Sequence, residues 1–154
     1  MIELIQYRNL ALVIVGVLGI IQVPLDLRHR ILSRRLTMLA LYSLILVFGV
    51  DAVKNQSWTT LSVASIAAIA VTSIYALLHR VSPQSLGWGD VLLVAPLTLA
   101  VAYVAPERVL WWQLLAASTG AVHAVWVRIQ RGSSHVPFGP HLLIAAWLMM
   151  VASV

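Results

Sequence analysis

The chain has 154 residues, 61% of them hydrophobic and only 10% charged, with a mean hydropathy of +0.94. That is too apolar for a soluble domain of this length and is the composition of an integral membrane protein. The formal charge of +5 does not point to nucleic acid, because the ten Lys and Arg residues lie between apolar runs rather than along one face. The absence of cysteine excludes disulfides, thiolate metal sites and cysteine nucleophiles.

Six apolar segments follow one another, at 9–25, 36–53, 58–79, 90–106, 109–127 and 138–154. Each approaches the ~20 residues that cross a bilayer as a helix. The expected fold is therefore an all-α, six-transmembrane-helix bundle forming a single domain over 1–154, with connectors too brief to hold a soluble domain. The first segment has no small-residue cleavage site after it and is not read as a removed signal peptide.

Between the first and second segments stands Asp26, two residues after Pro24 and just before Arg28-His29-Arg30. Taken alone, Asp26 reads either as an interfacial acid balancing these arginines or as a functional carboxylate. At the end of the second segment Asp51 is a further acid in an apolar setting. The fourth segment opens with Gly87-Trp88-Gly89-Asp90. A carboxylate in the first turn of a helix is stabilised by the helix dipole, but that role does not require Gly87 and Gly89, which let backbone come close to a neighbour or a substrate. In the fifth segment His123 reads as a histidine hydrogen-bonded to a neighbouring helix, with a proton relay or metal ligand as the less favoured reading. Trp58, Tyr103 and Trp111-Trp112 fall near one interface, where an aromatic belt accounts for them. The sixth segment opens with Pro137-Phe138-Gly139-Pro140, an irregular turn that membrane depth tolerates only against protein or a water-filled cavity.

Orientation follows from the basic residues. With the N-terminus outside, the inner loops hold Arg28, Arg30, Arg34, Arg35, Arg80, Arg128 and Arg131, and the outer side holds Arg8, Lys54 and Arg108. Positive residues favour the cytoplasmic side, so both termini are expected outside. Asp26 and Asp90 then lie at the same, cytoplasmic depth, with Asp51 at the opposite end. Two carboxylates that meet can share one proton and activate a water, as in an aspartic-protease dyad. Zinc is not supported: His29, His79, His135 and His141 lie near the inner face, but without HExxH or paired spacing. Ser33, Ser133 and Ser134 lack a base and an oxyanion arrangement.

These residues resemble the type IV prepilin peptidases, which share Gly-x-Gly-Asp with presenilin-like intramembrane aspartyl proteases. The first family motif is matched by Asp26 and the stretch Leu32-Ser33-Arg34-Arg35-Leu36-Thr37, the second by Gly87, Gly89, Asp90, Val91 and Leu93, and the third by Pro137, Phe138, Gly139 and Pro140. The chain departs from the pattern at Ser33, where proline is usual, at Arg34, where Asn or Asp is usual, and at Leu92, where many members carry lysine.

The resemblance implies a multi-pass protein of the cytoplasmic membrane that acts as an aspartic endopeptidase. Asp26 and Asp90 would be catalytic, with the two glycines and the Pro-Phe-Gly-Pro turn shaping the site. No cofactor or metal is expected. The implied partners are membrane lipid and a prepilin-like substrate with a short basic leader and an apolar helix, with no role for nucleic acid. The chain looks like the short, peptidase-only members serving Tad-type pili or archaeal flagellin-like proteins, lacking the cysteine-bearing N-terminal domain, so N-methylation is not expected. Two other readings are a catalytically silent pilin-binding scaffold, suggested by Ser33, Arg34 and Leu92, and a small proton-coupled transporter, weakened by the lack of inverted repeats.

Overall fold

A computed structural model describes residues 2–29, 32–82, 86–131 and 137–152. Arg30, Ser133, Ser134 and His135 lie outside the described residues. The described residues form six α-helices: α1 (Ile2–His29), α2 (Arg34–Asn55), α3 (Trp58–Val81), α4 (Trp88–Val104), α5 (Val109–Arg131) and α6 (Gly139–Val151), with a short 3₁₀ turn at Pro106–Arg108.

The breaks between helices have local causes. Ser33 caps α2, its hydroxyl accepting from the Leu36 amide at 3.5 Å. A serine in this role satisfies one of the free amides at the start of the helix. Gln56 turns the chain between α2 and α3 with a left-handed backbone, φ 54°. Ala105 precedes Pro106, which disfavours helical backbone at Ala105 and ends α4. Pro140 occupies the first turn of α6, where its missing N–H has no helical partner to lose.

Helix α1 starts at Ile2, well before the expected 9, and two further boundaries differ from the sequence reading. Helix α1 continues through Pro24 to His29, so Asp26 lies inside its last turn rather than at its end. Helix α5 runs on to Arg131, past the expected limit at 127.

Helices α1, α2 and α3 are long and apolar enough to cross a membrane, whereas α4 and α6 are apolar but shorter. The 17 residues of α4 span about 25 Å and the 13 of α6 about 20 Å, both less than the ~30 Å of a hydrocarbon layer. Such short helices are tolerated where protein covers them, and α4 is the central element. It contacts α1, α2, α3, α5 and α6 and buries residues on all sides, including Val91, Leu93, Leu97, Ala100 and Val101. Phe48, Leu44, Leu142 and Met150 complete the core. Buried alanines, among them Ala40, Ala64, Ala100 and Ala146, let helix backbones approach closely, which is how helices associate when lipid weakens the hydrophobic drive. Ile20, Leu46, Ile69 and Ile129 point outward, as apolar side chains facing lipid do.

Asp51 lies at the end of α4 opposite Asp90. It is fully buried and accepts from Asn55 Nδ2 at 2.7 Å, from Ser57 Oγ at 2.9 Å and from the Tyr103 hydroxyl. Tyr103 also stacks on Phe48, with ring centroids 3.8 Å apart. Tyr103 is therefore a buried latch residue and not part of an interfacial belt. Trp112 is likewise fully buried, donating its indole N–H to the Leu142 carbonyl at 3.0 Å and fastening α5 to α6. Trp58 and Trp111, the other aromatics assigned to a belt, are exposed.

Candidate active site

Asp26 on α1, Asp90 on α4 and the start of α6 meet at one end of the bundle. Both carboxylates are buried, at 5% and 8% exposure, and each lies within electrostatic range of the other. Each also has one buried oxygen without a partner, Oδ2 of Asp26 and Oδ1 of Asp90. A buried acid oxygen left unpaired is costly, so both atoms are set up for a partner outside the chain's own hydrogen bonds.

The backbone around the two acids is shaped by glycine. Gly87 precedes α4, its amide facing the Asp90 carboxylate. Asp90 is the third residue of the helix, where a carboxylate reaches back to the capping amide and answers the helix dipole. A Cβ at Gly87 would lie 3.3 Å from Asp90 Oδ2. Gly139 is tighter. Its amide faces the Asp26 carboxylate, and a Cβ there would lie 2.7 Å from Asp26 Oδ2 and 3.1 Å from Leu32 Cδ2. On the other side of Leu32, a Cβ at Gly89 would stand 3.0 Å from Leu32 Cβ. Leu32 is thus wedged between α4 and α6, and both glycines are needed for that approach.

The Pro137–Pro140 turn forms part of the same end. Gly139 and Pro140 are buried, and the Phe138 ring fills the space over Gly120 of α5, where a Cβ would come within 2.6 Å of it. His141, next in α6, shares a hydrogen bond of 2.9 Å with His123 of α5. The expectation that His123 bonds a neighbouring helix therefore holds. No group of three or more metal-ligating side chains gathers among the described residues.

The structure thus brings Asp26, Asp90, Gly87, Gly89 and Gly139 together, with Phe138 and Pro140 behind them, and it keeps Asp51 apart. Sequence reasoning missed Gly120, whose need for glycine depends on a tertiary contact with Phe138. It also missed Gln22, one turn before Asp26 on α1. This side chain is fully buried and donates from Nε2 to Thr37 Oγ1 on α2 at 2.9 Å. A glutamine inside the first apolar run was its only signal.

Chemically, two buried carboxylates with free oxygens and a backbone cradle can hold a water and pass protons to and from it. No curated protein and no solved structure matches the chain. A model of the type IV leader peptidase family matches residues 11–125, a span that includes Asp26 and the whole of Gly87 to Asp90 and stops before the Pro-Phe-Gly-Pro turn. With that match covering most of its length, the chain belongs to the type IV leader peptidase family.

Proposed function

We propose that this leader-peptidase-family protein is an intramembrane aspartic endopeptidase with Asp26 and Asp90 as its dyad. The observation that carries the reading is the meeting of the two buried carboxylates, from helices far apart in sequence, each with an unpartnered oxygen. Two like charges within electrostatic range of each other in a medium of low dielectric disfavour double ionisation, and such a pair is stabilised by holding one proton between them. One carboxylate takes a proton from a water as that water attacks the scissile carbonyl. The other gives its proton to the carbonyl oxygen. Collapse of the tetrahedral intermediate returns a proton to one carboxyl and delivers the other to the leaving amine. No metal ion has a part in this scheme.

The proposed membrane arrangement is six crossings with both termini outside, which puts the dyad at the cytoplasmic face of the cell membrane, in a single domain over 1–154. It rests on the seven-to-three excess of basic residues on the connectors at the Asp26–Asp90 side. The substrate class follows from the family: a prepilin-like precursor with a short basic leader, cut just before its apolar helix. A bond at that junction would reach the dyad when the apolar helix enters the bilayer.

The test is co-expression with prepilin-like precursors encoded in the same genome, followed by gel mobility. The expected result is a shorter pilin only when the wild-type protein is present. Full-length precursor with every substrate, from a protein accumulating normally in the membrane, would contradict the reading.

A further inference from the structure

Gln22 has a hydrogen-bonding direction imposed on it from outside. The Thr37 hydroxyl donates to the Ser33 carbonyl at 3.1 Å, and a carbonyl oxygen only accepts. Thr37 Oγ1 therefore presents a lone pair to Gln22, and Gln22 Nε2 donates to it at 2.9 Å. This fixes the amide's orientation and leaves Gln22 Oε1 as a buried acceptor without a partner. Asp26 is four residues further along α1, so the two side chains lie on one face of the helix, about 6 Å apart along its axis. Asp26 Oδ2 is also buried and unpartnered. An ionised Asp26 has only acceptors to offer Gln22 Oε1, whereas a protonated one carries a donor.

We propose that Gln22, held by Thr37, is a positioning residue that keeps the dyad's shared proton on Asp26 in the resting enzyme. The inference rests on the dyad reading above and assigns its roles. Asp90 starts as the carboxylate that takes the proton from water. Asp26 starts as the acid that donates to the carbonyl oxygen, and Gln22 Oε1 accepts from it again once its proton returns.

The other groups around Asp26 leave this assignment to Gln22. From α4 it meets Asp90, and from α6 the Gly139 amide, with His141 turned to His123. From α2, Arg34 and Arg35 are exposed, as are Arg28 and His29 on α1 itself. Tyr75 of α3 lies near Asp90 and donates to Gln113 at 2.6 Å.

The experiment is a pH–rate profile for purified protein in lipid nanodiscs cleaving a synthetic prepilin-like peptide, with Gln22→Met, Thr37→Val, Thr37→Ser and Asp26→Asn beside wild type. Removing the acceptor destabilises the protonated acid, so Gln22→Met should move the alkaline limb about one pH unit lower, the worth of one hydrogen bond. At neutral pH kcat should fall about tenfold, with KM within about twofold, because the substrate does not touch Gln22. Thr37→Val frees the amide to rotate and should move the limb the same way, while Thr37→Ser keeps the hydroxyl and should hold it in place. An unmoved limb in Gln22→Met overturns the inference. If that variant does not accumulate, equal limbs for Thr37→Val and Thr37→Ser overturn it instead. Cleavage by Asp26→Asn would remove the dyad reading and this inference with it. An inactive Asp26→Asn beside an unmoved Gln22→Met limb removes this inference alone.

Discussion

Gly139 and Gly120 make the same demand for different reasons. At Gly139 the absent Cβ leaves room for Asp26 Oδ2 and Leu32, so Gly139→Ala should push the carboxylate out of register with Asp90. The expected outcome is at least a tenfold loss of kcat with the protein still folded, since misplacing a reacting group by about 1 Å costs on the order of 10²-fold. Steady-state kinetics against thermal unfolding separates the two effects. At Gly120 the obstructing group is the Phe138 ring, so Gly120→Ala should lower stability by about 1–3 kcal/mol, the usual cost of overpacking, seen as a drop in unfolding temperature. The close approach at Gly89 was legible from sequence because the residue adjoins an acid at a helix start. Gly120 carries no such local sign, since its neighbour Phe138 is 18 residues away in the chain.

At the scale of elements, the Asp51 latch holds the bundle at the end away from Asp26 and Asp90, and the Trp112 bond fastens α5 to α6. Asp51→Ala should destabilise the protein by about 3 kcal/mol, because it leaves the buried Tyr103 hydroxyl and the Ser57–Asn55 turn without their common acceptor. Asp51→Asn retains an acceptor oxygen and should cost less, with cleavage by the folded fraction unchanged. Thermal unfolding in detergent, read beside specific activity, checks both variants. The sequence located Asp51 correctly as the acid that does not join the other two, since helix lengths alone place it at the far end. Its partners were not legible. Tyr103 and Trp112 read as interfacial aromatics because an aromatic near a helix end faces either lipid headgroup or neighbouring helix, and periodicity in an all-round apolar segment does not distinguish the two. The segment limits erred where polar residues continue a helix, as beyond residue 127 in α5, because helical hydrogen bonding does not stop where hydropathy falls.

Across the whole molecule, α4 separates two polar clusters, Asp26–Asp90 at one end and Asp51–Tyr103 at the other. Tyr103 stands thirteen positions after Asp90, about 20 Å along the helix. The natural absence of cysteine makes the membrane orientation directly measurable. Lys54, in the last turn of α2, and Ser82, which caps the C-terminus of α3, are both exposed and lie on opposite sides of α3 along the chain. With both termini outside, Lys54→Cys should react with a membrane-impermeant maleimide in intact cells, and Ser82→Cys should react only after permeabilisation; the reverse pattern would put the dyad on the outer face. The order of helices, and the separation of Asp26 and Asp90 at one end of the bundle from Asp51 at the other, were readable from hydropathy because successive helices of similar length return the chain to the same end. How α1, α4 and α6 converge around Leu32 was not, since that depends on packing between residues more than a hundred positions apart.

The most direct measurement of the central claim is single-turnover cleavage of a prepilin-like peptide by purified wild type, Asp26→Asn and Asp90→Asn in nanodiscs, at matched folded protein. An amide can neither share the proton nor serve as base, so each variant should lose at least about 10³-fold in rate while wild type cleaves before the apolar segment. Cleavage at a wild-type rate by either variant would contradict the dyad.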